Sequence, residues 1–419
     1  MAKKKELLFL VHRIPYPPNK GDKIRSFNML KHLEKNYRVH VGAFVDDPAD
    51  WQYEGALQSL CGELRLLALK PRYRRFFSLK GLFTGQPLTL PYYESVAMQA
   101  WVDDLLVRRA IDAVVVFSSP MGQFLEKHDR AGRRLVVDFV DVDSEKWMQY
   151  SRSKSWPWSW LYGREGRTLL AYERSLAALF DASVFVSDEE CALFQRLAPE
   201  VKERCVGICN GVDTEYFSPE RDYPNPYEKA GPILVFTGAM DYWANVDAVR
   251  WFVETLFPVL RAQVPAVEFH IVGARPGSVV RALAANDGVR VTGAVRDIRP
   301  YLAHATAAVA PMRIARGIQN KVLEAMAMGL PVVASMEAAE GIKAKPHVEL
   351  LVASSPVEFQ DYAVRLLAGD YPDMGRLARR CVCGHYGWEQ NLQRLDTLLA
   401  AETVSDGVSM MASAGEASR

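Results

Sequence analysis

Residues 310–334 read APMRIARGIQNKVLEAMAMGLPVVA, and this stretch holds one full cycle of an alternating α/β pattern. Ala307-Ala308-Val309-Ala310 is a short apolar run without polar alternation, which suits a parallel strand buried on both faces; it ends at Pro311. A loop with Gly317 follows. A helix opens near Gln319 and runs from Asn320 to Met328. Gly329-Leu330-Pro331 stops it and starts the next strand, 331–334. Strand, loop, helix and strand in this order build a parallel sheet.

The same alternation extends outward. Residues 233–236, 267–272 and 289–291 read as strands, with 247–256 as a helix. Farther upstream, 7–11, 39–44, 114–117, 135–137 and 184–186 repeat the strand pattern. Ile24, Phe27, Leu30 and Leu33 recur every third residue, as on a helix. Between Cys209 and Ala230 the texture changes to turn and breaker signals: Asn-Gly-Val-Asp at 210–213, Ser218-Pro219 and Pro224-Asn225-Pro226. The expected organisation is two doubly wound α/β domains: a Rossmann-like domain at 1–208, a linker at 209–230 and a second such domain at 231–385. A closing helix at 386–402 and a disordered tail at 403–419 complete it. Two open sheets facing one another place the default ligand site in the cleft between them.

Composition fits this plan. Of 419 residues, 49% are hydrophobic and 24% charged, enough for two sizeable cores. Lys and Arg number 51 against 50 Asp and Glu, so the net charge is +1, which argues against a nucleic-acid partner. Cys61, Cys191, Cys205, Cys209, Cys381 and Cys383 form no C-x-x-C framework and read as reduced thiols. Without a signal segment or an apolar run of membrane-spanning length, the expected location is the cytoplasm.

The helix start near Gln319 offers free backbone N–H groups and the positive end of a dipole to a phosphate. Asn320 and Glu324 are four apart and share a face, with Lys321 beside them. A carboxylate there accepts two vicinal hydroxyls, as on a ribose. An ordinary helix with a solvated Glu and Lys has the same spacing, so physics alone leaves both readings standing.

The segment 310–334 resembles the nucleotide-sugar site of glycosyltransferase family 4, which has the GT-B fold and retains anomeric configuration. The resemblance continues through Val186-Ser-Asp-Glu-Glu190, Asn210-Gly-Val-Asp-Thr-Glu-Tyr-Phe-Ser-Pro219, Phe236-Thr-Gly238, Thr292-Gly-Ala-Val-Arg-Asp297 and His385-Tyr-Gly-Trp-Glu389. The stretch from His12 to Arg25, together with 138–144 and 238–245, is similar to a narrower branch. That branch comprises bacterial sugar transferases associated with exosortase (PEP-CTERM) systems and exopolysaccharide assembly.

The resemblance implies a UDP- or GDP-sugar as donor substrate, no further cofactor, no metal, and a glycan or lipid-linked acceptor. Charge growing on the departing diphosphate falls to Lys321, Arg313 and the helix start at 317–320. The donor side comprises Gly21, Gly238, Arg296 in the base-binding turn, Gly317, Ile318, Gln319, Asn320 and Glu324. Asp141 is the candidate catalytic carboxylate on the acceptor side, with Asp22 and Asp143 binding the acceptor. Asp22 also reads as a cap for its helix.

Two departures stand out. Arg316 takes the place of the family's first Glu at the donor sugar, and no Arg or Lys lies between Gly238 and Val249. These keep two alternatives open: a degenerate GT-B protein that binds nucleotide or partners in an assembly complex, and a nucleotide-sugar epimerase. Finally, 65–83 and 147–162 interleave cations with aromatics, a pattern suited to an anionic membrane surface at the inner face of the cytoplasmic membrane.

Overall fold

The computed structural model describes residues 4–18, 20–130, 132–228, 231–315 and 317–401; the tail expected at 403–419 lies outside them, as does Arg316. Leu7 to Val11 are wholly buried, and the strand they form lies inside a seven-stranded sheet, with a neighbour on each side. That sheet contains β1 (Lys5–Val11), β2 (Tyr37–Val45), β3 (Leu64–Ala68), β4 (Ile111–Phe117), β5 (Arg134–Val140), β6 (Ala182–Phe185) and β7 (Cys205–Gly207), in the order β3-β2-β1-β4-β5-β6-β7. A second sheet contains β8 (Ile233–Thr237), β9 (Glu268–Val272), β10 (Val289–Gly293), β11 (Ala307–Ala310), β12 (Val332–Ser335) and β13 (Leu351–Ala353), in the order β10-β9-β8-β11-β12-β13. Every pairing in both sheets is parallel.

β3, β7 and β13 escape the sequence reading. Two of them are three residues long, and β3 buries only Leu66, so none carries a full apolar run. The helix expected at 247–256 begins earlier, as Trp243–Trp251. It passes through a π-helical turn, Phe252–Leu256, into the helix Phe257–Gln263. Pro258 lacks an N–H, and the wider turn absorbs the missing bond.

The helix Gly21–Asn36 departs further from expectation. Its buried face carries Lys23, Arg25, Ser26 and His32 beside Met29, Leu30 and Leu33, while Ile24 and Phe27 are only half-buried. Each inward charge has a partner. Lys23 Nζ donates to Asp50 at 2.6 Å, Arg25 Nε to Asp138 at 2.8 Å, and His32 Nε2 lies 2.8 Å from Asp396.

The two domains are joined twice. Val212 N donates to Tyr386 O at 2.8 Å, so the linker runs beside the turn into the last helix, Trp388–Ala400. That helix crosses back, burying Trp388, Leu392, Leu395 and Leu399 among the strands of the first domain. Each such burial is worth roughly 1.5–3 kcal/mol, which holds the crossing in place. All six cysteines are unpaired, and burial pushes the thiols of Cys61, Cys205 and Cys381 up to about 12.

Candidate active site

Each sheet changes direction at one point. From β1 the chain moves outward to β2 and β3, then returns to β4 on the other side; β8 and β11 repeat this. In open α/β sheets ligands bind at such switch points, beyond the carboxyl ends of the strands. The residues after β1 and β4 in one domain, and after β8 and β11 in the other, are therefore where a site belongs.

In the second domain the loop after β8 turns at Gly238 (φ 154°), whose carbonyl packs where a Cβ on Gly273 would sit, 1.7 Å away. Neither position has room for a side chain, and this interlock fixes the loop. The Nδ2 of Asn245, a buried residue of the helix Trp243–Trp251, donates to Ala239 O at 2.9 Å. The Oδ1 of Asn245 accepts from Lys321 Nζ at 2.5 Å. Lys321 opens the helix Asn320–Ala327 and lies 4.8 Å from the ring centroid of Phe236. Desolvation pushes its ammonium down to about 8 and pushes the Glu324 carboxyl up to about 7, each charge partly offsetting the other. Gln319 makes no side-chain cap, the Oδ1 of Asn320 is buried without a partner, and the space before Gly317 (φ 62°) is open. The arrangement is a helix start with an enclosed cation and an unpartnered Asn320 oxygen, suited to a polyanion bearing hydroxyls.

The other donor-side candidates spread around it. Ile318 is buried. Gln319 Nε2 donates to Gly317 O at 3.1 Å. Arg296 is exposed on the turn after β10. That turn is pinned to the linker by Arg299, which donates to Asp297 at 2.6 Å and lies 3.7 Å from the ring centroid of Tyr216. Arg313 is not grouped with Lys321. It is exposed, pairs with Asp247 and lies against Trp251. Asp247 is two residues past Asn245 and hence on another face of that helix.

On the first-domain wall, space before Gly21 is open. Asp22 does not cap its helix. The N-cap position is Lys20, and the Asp22 carboxylate is taken by Arg13 Nη1 at 2.6 Å and His12 Nε2 at 3.3 Å. Burial would raise Asp22, but the His12 hydrogen bond and the Arg13 charge override it and hold the carboxyl well below its usual range. His12 stacks on Phe117 at the end of β4, with centroids 5.8 Å apart. Asp141 and Asp143, past the end of β5, are not a free carboxylate pair. Lys146 Nζ lies between them, 2.6 Å from one and 3.0 Å from the other. Among the described residues no group of three or more His, Cys, Asp or Glu is placed to share a metal.

Asn245, His12 and Tyr216 are therefore neighbours of the candidate residues and their turns that pattern reading passed over. All three lie inside quoted motifs, but nothing in their spacing marks them.

The architecture is that of the GT-B glycosyltransferases. Sucrose-phosphate synthase from Thermosynechococcus elongatus superposes with a TM-score of 0.68 at 17% identity, over 94% of this chain and 98% of that one. HepE of Anabaena, in complex with UDP and glucose, gives 0.64 at 16% identity over 94% and 99%. WaaG, a glycosyltransferase involved in lipopolysaccharide biosynthesis, gives 0.62 at 17% identity over 94% and 100%. These likenesses establish the fold. No curated protein matches the chain. Residues 231–369, about a third of the chain, match the family model of Glycosyl transferases group 1. The match falls within the second domain, and the enzyme class is glycosyltransferase.

Proposed function

We propose that the protein is a retaining glycosyltransferase. It moves a sugar from a UDP- or GDP-sugar to a glycan or lipid-linked acceptor, in exopolysaccharide or cell-surface polysaccharide assembly of the exosortase-associated kind. The observation that carries this reading is Lys321: an enclosed ammonium, pushed down to about 8, whose bonded neighbour Asn245 is neutral. A diphosphate beside it adds counter-charge to the partial offset that Glu324 gives. The ribose hydroxyls fall to Glu324, the base to the turn bearing Arg296, and the phosphates to the helix start at 317–320.

In the reaction the bond from the anomeric carbon to the β-phosphate oxygen breaks. A bond to the acceptor oxygen forms on the same face, and the acceptor proton leaves with the phosphate. Charge growing on the diphosphate meets Lys321 and the helix N–H groups, which are already oriented. The acceptor lies against the opposite wall, near Gly21, Asp22, Asp141 and Asp143. The sugar contact made by a Glu in the resembling family falls here to Arg316 or to the backbone of Gly317 and Ile318. HepE, with UDP and glucose bound, offers a structural precedent at the level of fold.

Thermal shift with UDP, GDP, ADP and CMP tests the reading. A nucleotide at 100 times its dissociation constant stabilises by about 2.7 kcal/mol. One nucleoside diphosphate is expected to stabilise the wild type and not Glu324→Ala. Absence of a shift with all four removes the donor site.

A further inference from the structure

Seven large exposed aromatic side chains of the first domain gather at one edge. Phe76 (74% exposed), Phe77 and Tyr73 project from the helix Pro71–Ser78, with Tyr73 and Phe77 one turn apart and ring centroids 5.3 Å from each other. Phe83 (90%) follows on the helix Lys80–Thr84. Trp156 (80%), Trp158 and Trp160 lie where the helix Asp143–Ser153 turns back into the helix Trp158–Leu179. In sequence these are two segments; in the fold they are tied together. Arg164, one turn past Trp160, donates to Gly81 O at 2.6 Å and Gln86 O at 3.1 Å. Next to it, Glu165 accepts from Leu88 N at 2.6 Å and from Thr89 N at 3.1 Å.

The two segments that carry these rings are basic, with acidic residues only at their ends, where Glu94 pairs with Lys80 and Glu145 with Arg152. No Asp or Glu occurs in 64–93 or in 146–164. Arg72, Arg75 and Lys154 are exposed and make no salt bridge among the described residues. Bulky apolar side chains so open to water mark a docking surface. Aromatic rings flanked by unpaired cations match the headgroup zone of an anionic bilayer, where rings enter the interface and each cation meets lipid phosphate.

We propose that this edge docks the protein on an anionic lipid bilayer. The helix Asp143–Ser153 runs between the acceptor wall and the docking edge, and its 11 residues span roughly 16 Å. A lipid-linked acceptor anchored in that bilayer reaches Asp141 and Asp143 from below. This last link rests on the transfer reading; the docking itself does not.

The test is co-sedimentation of the full chain with phosphatidylcholine vesicles, with and without 30 mol% phosphatidylglycerol, at low and high salt. Wild type is expected in the pellet only with anionic vesicles, with partition falling as salt rises. Two triple variants, Phe76→Ser/Phe83→Ser/Trp156→Ser and Arg72→Glu/Arg75→Glu/Lys154→Glu, are each expected to lower partition at least about tenfold. Their melting temperatures and nucleotide shifts are expected to match wild type, which separates docking from folding. No binding of wild type to anionic vesicles, or unchanged binding in both variants, overturns the proposal. So does a concentration-dependent oligomer that the aromatic variant abolishes, since the face then pairs copies of the chain. Vesicle binding that persists while every nucleotide shift is absent keeps the docking and discards the transfer reading.

Discussion

Asn245 Oδ1 lies 2.5 Å from Lys321 Nζ, and its Nδ2 lies 2.9 Å from Ala239 O. One amide thus sets both the cation and the glycine loop that face each other across the mouth of the second sheet. A hydrogen bond to a charged group contributes about 1.5–3 kcal/mol. Asn245→Ala frees the ammonium and the loop together. The expected result is a fall in kcat/KM of roughly 10- to 100-fold, with nucleotide affinity falling alongside. Unchanged nucleotide affinity in a calorimetric titration sinks the positioning role.

Lys321→Met separates stability from chemistry. Loss of one preorganised charge at a developing anion costs about 3–4 kcal/mol, or roughly 10²- to 10³-fold in rate. Lys321 is also a desolvated cation, and its replacement by an apolar chain of similar length relieves that penalty. At pH 6, where the Glu324 carboxyl is protonated, no orphan charge remains. The variant is expected to melt no lower than wild type there while its turnover collapses. A large drop in melting temperature would mean that Lys321 holds the fold instead.

The opposed shifts of this pair predict a pH profile. Glu324 takes up a proton below about 7 in the folded protein and only below its ordinary 4.5 when unfolded. The folded state binds the extra proton in that window, so stability falls as pH rises from 4.5 toward 7. Lys321 loses its proton above about 8 when folded and above 10.5 when unfolded. There the unfolded state binds more protons, and stability from this group rises with pH above 8. Between 7 and 8 both groups are charged and their contribution to stability is at its lowest. That is also where a diphosphate finds the ammonium and a ribose finds the carboxylate. Nucleotide affinity is therefore expected to peak between about 7 and 8 and to fall on both sides. Titrations at pH 6, 7.5 and 9 check this, and a monotonic trend rejects it.

How far the sequence reveals this depends on the range of each interaction. Residues 310–334 are legible because strand, loop, helix start and stop are all local signals. The helix at 21–36 is legible as a helix but not in its orientation. The spacing of Ile24, Phe27, Leu30 and Leu33 points to an apolar inner face, yet Arg25 and His32 turn inward. They do so because their partners, Asp138 and Asp396, stand 113 and 364 residues away. Asp141 and Asp143 read as free carboxylates because the fold of Lys146 back onto both is a matter of geometry. Two basic–aromatic segments are visible in sequence, whereas their union through Arg164 is tertiary.

Arg25 gives the last prediction. Its guanidinium is fully buried, donates to Asp138 at 2.8 Å, and reaches across to Ile208 O at 2.8 Å and Asn210 Oδ1 at 3.0 Å, where the linker leaves the first domain. Asp138 also receives the N–H of Val140 at 2.9 Å, which holds that residue in its left-handed conformation (φ 69°). Asp138→Ala leaves a buried cation without a counter-charge and is expected to cost about 3–5 kcal/mol in urea denaturation. Replacing both partners, as Arg25→Met with Asp138→Leu, removes the orphan and is expected to recover much of that loss, because an apolar pair of similar volume needs no desolvation. Transfer is expected to stay impaired in the double variant, since the linker loses its bonds at Ile208 and Asn210 even when the core is restored. If stability and activity recover together, the pair serves the core alone, and the link from Arg25 to the linker has no part in setting the two domains.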